Sequence, residues 1–140
     1  MNRIILFSLL FVLGISSCKK SDNRPSYPDD SLVSAWIHPQ YTDSIITFER
    51  SEKLIPGDYG LLLKNNNSLI ERKNSGWCGT PPIVYGDFEG NWSKSNDTLN
   101  MEVGFWGGTT HIKWQVLSVD DNQLRVKQLE VEYFPEENTD

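Results

Sequence analysis

The feature that most constrains this chain is a two-residue alternation of apolar and polar side chains between residues 32 and 133. It is clearest in the segment 87–93, where Phe88, Gly90 and Trp92 alternate with acidic and polar residues. This period is typical of a β-strand that has one buried face. No twelve residues of this part of the chain keep a helical apolar period, so the sequence predicts an all-β domain.

Turn-forming residues divide the alternation into short segments, for example at Pro56-Gly57-Asp58 and Gly107-Gly108. Between Val126 and Leu129 the apolar phase slips, which predicts a β-bulge near Lys127-Gln128. Short strands joined mostly by tight hairpins favour a single antiparallel up-and-down eight-stranded β-barrel. A two-sheet β-sandwich is the alternative, because periodicity does not separate the two. The eight predicted strands are residues 32–37, 45–50, 59–64, 68–73, 85–94, 98–105, 109–119 and 123–133.

The N-terminus has the pattern of a cleaved secretory signal. Arg3 gives a basic start, residues 4–15 are almost entirely apolar, and small residues lead to Cys18. The apolar run is too short to span a bilayer. A cysteine directly after small residues resembles the lipobox of bacterial lipoproteins. This resemblance implies that residues 1–17 are removed and that Cys18 is acylated and begins the mature chain.

The same resemblance predicts where the protein resides. It implies several acyl chains on Cys18, which anchor a protein stably to a membrane. Lys19 replaces the aspartate that favours inner-membrane retention in enterobacteria, so we expect an outer-membrane lipoprotein of the cell envelope. Residues 19–23 contain a single acid rather than the acidic cluster of many surface-exposed lipoproteins, which favours the periplasmic face. We expect residues 18–31 to be a flexible tether, 32–134 the barrel and 135–140 an acidic tail.

The charge of the chain argues against a nucleic-acid partner. The formal net charge is −6, and removal of residues 1–17 takes away Arg3 alone, which leaves −7. Lys and Arg do not cluster beyond Lys19-Lys20, whereas binding to phosphates needs clustered cations.

A family resemblance rests on several short segments. Residues 89–93, with the sequence Glu-Gly-Asn-Trp-Ser, precede the turn 97–99, Gly107-Gly108 and the hairpin 112–124. Together they resemble the C-terminal half of lipocalin-like domains in small lipoproteins of the Bacteroidota. Residues 31–36 are similar to the first strand of that family, with a serine at position 34 where a glycine is usual. The resemblance implies a lipocalin-like barrel and specifies no ligand.

The most irregular stretch, residues 76–82, combines two glycines and two prolines with Trp77 and Cys78. One interpretation is a ligand-binding loop or lid at the barrel mouth, and the other is a rigid crossover plugged by Trp77. Trp106 beside a glycine turn is either an exposed stacking platform or folded over the barrel end. Tryptophans on the apolar phase are most simply core residues. The candidate ligand-binding residues are Trp77, Cys78, Trp92, Trp106 and Trp114.

Catalytic and metal chemistry have little support in the sequence. Cys78 has no histidine close in sequence, and His38 and His111 are isolated from one another. No His or Cys pair has the spacing of metal ligands, so we predict a protein without enzymatic activity, metal or cofactor. Three Asp-Ser/Thr-aliphatic triplets resemble the O-glycosylation acceptor of Bacteroidota. Their hydroxyl residues are Ser31, Ser44 and Thr98.

We therefore predict a membrane-anchored, lipocalin-like lipoprotein that binds a small apolar ligand inside its barrel. The alternative is a filled barrel whose loops contact an envelope protein or a glycan. The two hypotheses differ in whether the barrel interior is hollow.

Overall fold

The computed structural model describes residues 29–76, 79 and 81–136. The predicted signal peptide, Cys18, Trp77 and Cys78 lie outside these residues. A short 3₁₀ helix, Asp29–Leu32, precedes eight strands. They are β1 (Ser34–Thr42), β2 (Ile45–Ser51), β3 (Gly60–Leu63), β4 (Ser68–Asn74), β5 (Tyr85–Ser95), β6 (Thr98–Phe105), β7 (Gly108–Val119) and β8 (Gln123–Pro135).

The strands close into one barrel in the order β1-β2-β8-β7-β6-β5-β4-β3, and every neighbouring pair is antiparallel. The prediction of an eight-stranded antiparallel barrel is confirmed, and the sandwich alternative is wrong. From β3 to β8 the chain forms a simple meander. The β2–β3 connection, residues 52–59, departs from it, because β1 lies between the two strands that this segment joins.

One end of the barrel, which we call the closed end, is plugged by the 3₁₀ helix. Leu32 has no exposed surface, and the Nε1–H of Trp36 donates to its carbonyl oxygen at 2.8 Å. Arg50 donates from Nη2 to the carbonyl of Ser31 at 2.7 Å, and its guanidinium lies 4.4 Å from the Trp36 ring centre. The sequence predicted a strand from residue 32. The strand instead begins at Ser34, because residues 29–32 turn inward to cover this end.

The closed half of the barrel is filled with apolar side chains. Phe48, at the centre, packs against the Trp114 ring at 5.6 Å. The buried cluster consists of Leu32, Trp36, Ile46, Phe48, Leu61, Leu63, Leu69, Trp92, Leu99, Met101, Val103, Trp114, Val116, Leu124 and Val126.

Local irregularities shape the strands. The pairing of β7 with β8 shifts register twice. Beside Trp114, Leu129 is an extra residue on β8, and this bulge lies next to the one predicted at Lys127-Gln128. The second shift is at Leu117 on β7. Another bulge lies in β1 at His38, which has a φ of 49° and directly precedes Pro39, so the irregularity lies within the strand. Gly90 sits where β5 and β6 approach so closely that a Cβ there would lie 2.1 Å from the carbonyl oxygen of Glu102.

The other end, which we call the mouth, is formed by three connections and the end of β8. The connections are residues 43–44, the described residues between Asn74 and Tyr85, and residues 106–107. The β2–β8 pairing stops at Ile45 and Lys127, whereas β8 continues alongside β7 to Pro135. The end of β8 therefore projects beyond the β1–β2 hairpin and forms a lip on one side of the mouth.

Candidate functional site: a cavity at the barrel mouth

The mouth half of the barrel contains a cavity of about 360 Å³. Its floor is the Trp114 ring, above the filled closed half. Strands β1, β2, β4, β5, β6, β7 and β8 all contribute to the wall. The lining residues are Tyr41, Ile46, Tyr59, Glu71, Lys73, Asn74, Phe88, Phe105, Trp106, Thr110, Ile112, Trp114, Gln128, Val131 and Tyr133.

A charged pair, a buried glutamate with a half-buried lysine, lies in one wall of this cavity. Glu71 is 5% exposed; its Oε1 accepts the hydroxyl proton of Tyr59 at 2.8 Å, and its Oε2 accepts from Lys73 Nζ at 2.5 Å. Lys73 Nζ also lies 5.0 Å from the centre of the Phe88 ring. Both charges are thus partnered, which a buried ion pair needs if its desolvation is to be offset.

Burial and the Glu71 carboxylate raise the pKa of Tyr59 well above its ordinary value, in that order of importance. Partial burial, followed by the same carboxylate, raises the pKa of Tyr41. Both phenols therefore remain neutral at physiological pH and present hydroxyl groups rather than charges to the cavity.

Aromatic rings line the upper wall on the lip side. Phe105 meets Trp106 edge-on with ring centres 6.1 Å apart, and it meets Tyr133 edge-on at 5.8 Å. Trp106 and Tyr133 are 64% and 68% exposed. These three aromatic rings make this side of the cavity entrance predominantly apolar.

Two polar atoms in the cavity-lining residues have no hydrogen-bond partner among the described residues. They are Oγ1 of Thr110 and Nε1 of Trp114, and both are buried. An unmet buried hydrogen bond costs about 1–3 kcal/mol.

The structure places the described candidate residues at different heights in the barrel. Trp114 forms the cavity floor and Trp106 stands at the rim, so these two lie together at one site. Trp92 does not line the cavity; it is 4% exposed and donates to the carbonyl of Lys64 at 3.0 Å in the closed half. Trp77 and Cys78 are not among the described residues.

The polar part of the cavity was not predicted from the sequence. Glu71 and Lys73 share the inward face of β4 with Leu69, and this phase was visible in the sequence. Thr110 and Ile112 share the inward face of β7 with Trp114 in the same way. Counting inward positions whether apolar or polar would have found these residues.

A second concave surface lies on the outer wall of β5 to β8 and measures about 320 Å³. Its charges pair with each other: Lys113 with Glu130, and His111 Nε2 with Glu102 Oε2 at 3.4 Å. This groove lies on the outer face of the sheet, where Glu102, Lys113 and Glu130 are exposed, so a molecule bound there would remain in contact with solvent and with charged groups.

The candidate glycosylation hydroxyls differ in exposure. Ser44 is exposed in the β1–β2 hairpin, whereas Ser31 and Thr98 are half-buried. Across the described part of the chain, no three His, Cys, Asp or Glu side chains are grouped to hold a metal ion. No helix within that same part is both long and apolar enough to cross a membrane.

Comparison of the chain with protein-family models, with curated proteins and with solved structures finds no match.

Proposed function

We propose that this protein binds a small, largely apolar molecule in the mouth cavity and performs no chemistry on it. The observation that carries the proposal is the division of the barrel into a filled closed half and a hollow mouth half of about 360 Å³. Ligand sites generally have volumes of about 300–1,000 Å³ and combine an apolar wall with a few placed polar groups.

The wall chemistry suggests an amphipathic ligand. Phe88, Phe105 and Ile112 offer apolar surface, while Tyr59 and Lys73 offer hydrogen-bonding groups beside them. Lys73 already pairs with Glu71, so a charged group on the ligand would meet no free countercharge from this pair. A neutral molecule with an apolar body and one polar substituent suits this wall best.

The alternative, a filled barrel that acts only through its loops, is less well supported because the interior is hollow at the mouth. We further propose that the barrel is a lipocalin-like domain of a lipoprotein, anchored through lipid on Cys18 to the outer membrane and facing the periplasm. Support for this anchoring comes from the sequence pattern of residues 1–18.

The test of ligand binding is a fluorescence titration with N-phenyl-1-naphthylamine, a neutral aromatic probe. The protein is the mature chain, residues 18–140, with Cys18→Ser to remove the acylation site. We expect saturable enhancement of the probe emission. Ile112→Glu, which puts a charge in the cavity wall, should weaken binding at least tenfold.

Ile70→Glu is the matched control, because Ile70 lies on the outward face of β4. It introduces the same charge at a strand position that does not line the cavity, and it should leave the affinity unchanged. Near-UV circular dichroism establishes that both variants are folded. Absence of saturable binding to the parent chain, or equal binding to the Ile112→Glu variant, would refute the proposal.

A further inference from the structure

The exposed large apolar side chains of the described residues are concentrated at the mouth. Seven of them have exposures of 44–68%. We call this set the mouth rim. Its members are Tyr41, Ile83, Val84, Trp106, Leu129, Tyr133 and Phe134.

The topology places each member of the mouth rim near the opening. Tyr41, Trp106 and Tyr133 line the cavity itself. Leu129 follows Gln128, whose N–H donates to the carbonyl of Ser44 in the β1–β2 hairpin. Phe134 lies near the end of the lip, beside the His111 ring at 4.4 Å.

The last two members precede β5 on the opposite side of the mouth. Ile83 and Val84 come directly before Tyr85, and the N–H of Ser75 donates to the carbonyl of Val84 at 2.8 Å. The mouth rim therefore flanks the cavity opening on several sides.

The exposed apolar area of the mouth rim is large for a protein of this size. Aromatic side chains have roughly 150–250 Å² of surface each and aliphatic ones somewhat less, so exposures of 44–68% leave on the order of 700 Å² summed over the seven side chains around the opening. The largest apolar patch on a typical monomer is about 300–600 Å². Larger patches mark a surface that another molecule or a membrane covers.

We propose that the mouth rim docks on the surface of a lipid bilayer, with its side chains in the interfacial layer and the cavity opening facing the lipid. Tryptophan, tyrosine and phenylalanine beside aliphatic residues are the side chains that prefer this layer. A bilayer would cover the mouth rim and would also be a reservoir for the apolar molecules that the cavity suits.

The charges near the mouth indicate which lipid headgroups the mouth rim would contact. Asp43, Glu132 and Glu136 are exposed there, as is Lys127, while the nearby Lys113 is paired with Glu130. An acidic border is repelled by anionic headgroups and not attracted to them. Docking should therefore rely on apolar insertion into neutral, zwitterionic lipid and should depend little on salt.

The length of the N-terminal segment permits this docking even though it enters the barrel at the closed end. This step rests on the proposed lipid anchor at Cys18. Residues 18–28 can extend to about 36–40 Å. The lip lies farthest from the closed end, and the thirteen residues of β8 rise about 43 Å along the strand, or about 30–35 Å along the axis of a barrel whose strands tilt by about 35–45°. The anchored barrel can thus turn its mouth toward the membrane that holds its lipid.

The test is flotation of the unacylated mature chain, residues 18–140 with Cys18→Ser, with phosphatidylcholine vesicles. We expect the protein to float with the vesicles, and we expect brominated phosphatidylcholine to quench its exposed Trp106. A Trp106→Ser, Phe134→Ser double variant should bind vesicles at least tenfold more weakly. Both side chains are exposed, so these substitutions should leave the fold intact.

The matched control is Leu62→Ser with Ile70→Ser, which removes two apolar side chains from outward positions of β3 and β4. This variant should bind vesicles as the parent chain does. Equal loss in both double variants would overturn the proposal, as would binding that requires phosphatidylglycerol or disappears in 0.5 M salt. A stable dimer of the parent chain that the rim variant abolishes would assign the mouth rim to a second copy instead.

These results are separable from those of the ligand test. Vesicle binding without binding of N-phenyl-1-naphthylamine would support docking and refute the cavity function. Probe binding without flotation would do the reverse.

Discussion

Replacement of Arg50 by alanine should destabilise the barrel substantially, because this side chain fastens the closed end. It donates to the Ser31 carbonyl at 2.7 Å and to the Asp120 carbonyl from Nη2 at 2.9 Å and Nε at 3.1 Å, and it stacks over Trp36. It thereby joins the 3₁₀ helix to the β7–β8 turn. Hydrogen bonds from a charged donor contribute about 1.5–3 kcal/mol when buried, but Arg50 is half-exposed, so each bond contributes less.

An exposed cation–π contact adds about 0.5–1 kcal/mol to the contribution of these hydrogen bonds. We therefore expect Arg50→Ala to lower the free energy of unfolding by about 2–3 kcal/mol. Arg50→Lys should cost about 1–2 kcal/mol, because it keeps the charge but loses the planar fork that reaches both carbonyls. Urea unfolding of the mature chain, followed by tryptophan fluorescence and circular dichroism, measures both changes. For a domain of this size, 2 kcal/mol corresponds to a fall in Tm of roughly 8–16 °C.

The control is Arg125→Ala, since Arg125 is an exposed arginine of β8. It should change the free energy of unfolding by less than about 0.5 kcal/mol. A loss below about 0.5 kcal/mol for Arg50→Ala, or equal losses at the two arginines, would show that the closed end does not depend on this side chain.

Three further predictions concern the core, the close approach of β5 and β6 at Gly90, and the cavity wall. Leu32→Ala should cost about 3 kcal/mol in urea unfolding, because the side chain is fully buried; a loss under about 1 kcal/mol would mean that the 3₁₀ helix is not a plug. Gly90→Ala should destabilise or misfold the barrel, since its Cβ would lie 2.1 Å from a backbone oxygen. Gly104→Ala should be tolerated, because the nearest atom to a Cβ there is 3.7 Å away. If circular dichroism showed Gly104→Ala to be the more damaging of the two, the close approach of β5 and β6 at Gly90 would be contradicted. The pKa of Tyr59 is raised in the folded barrel, so the phenol of the unfolded chain ionises first as the pH rises. The contribution of Tyr59 to the free energy of unfolding is therefore fully present below about pH 10 and is lost as the pH rises above that value. Tyr59→Phe should therefore make unfolding free energy less dependent on pH above 10, by up to about 1.4 kcal/mol per pH unit, and an unchanged slope would be evidence against burial of this phenol.

The strands could be predicted from the sequence because each has one face against the core. Even β5, with glycines at 86 and 90, kept its phase through Phe88 and Trp92. Small inward residues can enlarge the cavity of a barrel, and this would apply to these two glycines and to Gly60. None of them lines it, and a Cβ on any of the three would come within 3.0 Å of a neighbouring atom. They allow close approach of segments, which is a property of three-dimensional packing.

The crossover at residues 52–59 could not be predicted from local patterns. Pro56-Gly57-Asp58 has the chemistry of a hairpin turn, but the two strands on either side pair with β1 and not with each other. His38 contacts both sides of this connection: its Nδ1 lies 3.1 Å from Oε2 of Glu49 in β2, and its Nε2 lies 3.5 Å from Oδ2 of Asp58 in the crossover. Contacts between residues this far apart in sequence leave no periodic signal.

The candidate site was predicted only in part, because periodicity gives the face of a residue and not its height in the barrel. Trp92 and Trp114 both lie on inward phases, yet one is in the filled half and the other is the cavity floor. The Tyr59–Glu71–Lys73 group was missed because inward charged residues were not counted as interior.

The most direct measurement of the central claim is a ¹H–¹⁵N correlation spectrum of the labelled mature chain, recorded during titration with N-phenyl-1-naphthylamine. We expect saturable shifts of the amide signals of Thr110, Ile112 and Val131 around the cavity. The signals of Leu63 and Leu99 in the filled half should move little. Shifts confined to the outer wall or to the closed end, or no saturable shift at all, would contradict a ligand site in the mouth of this barrel.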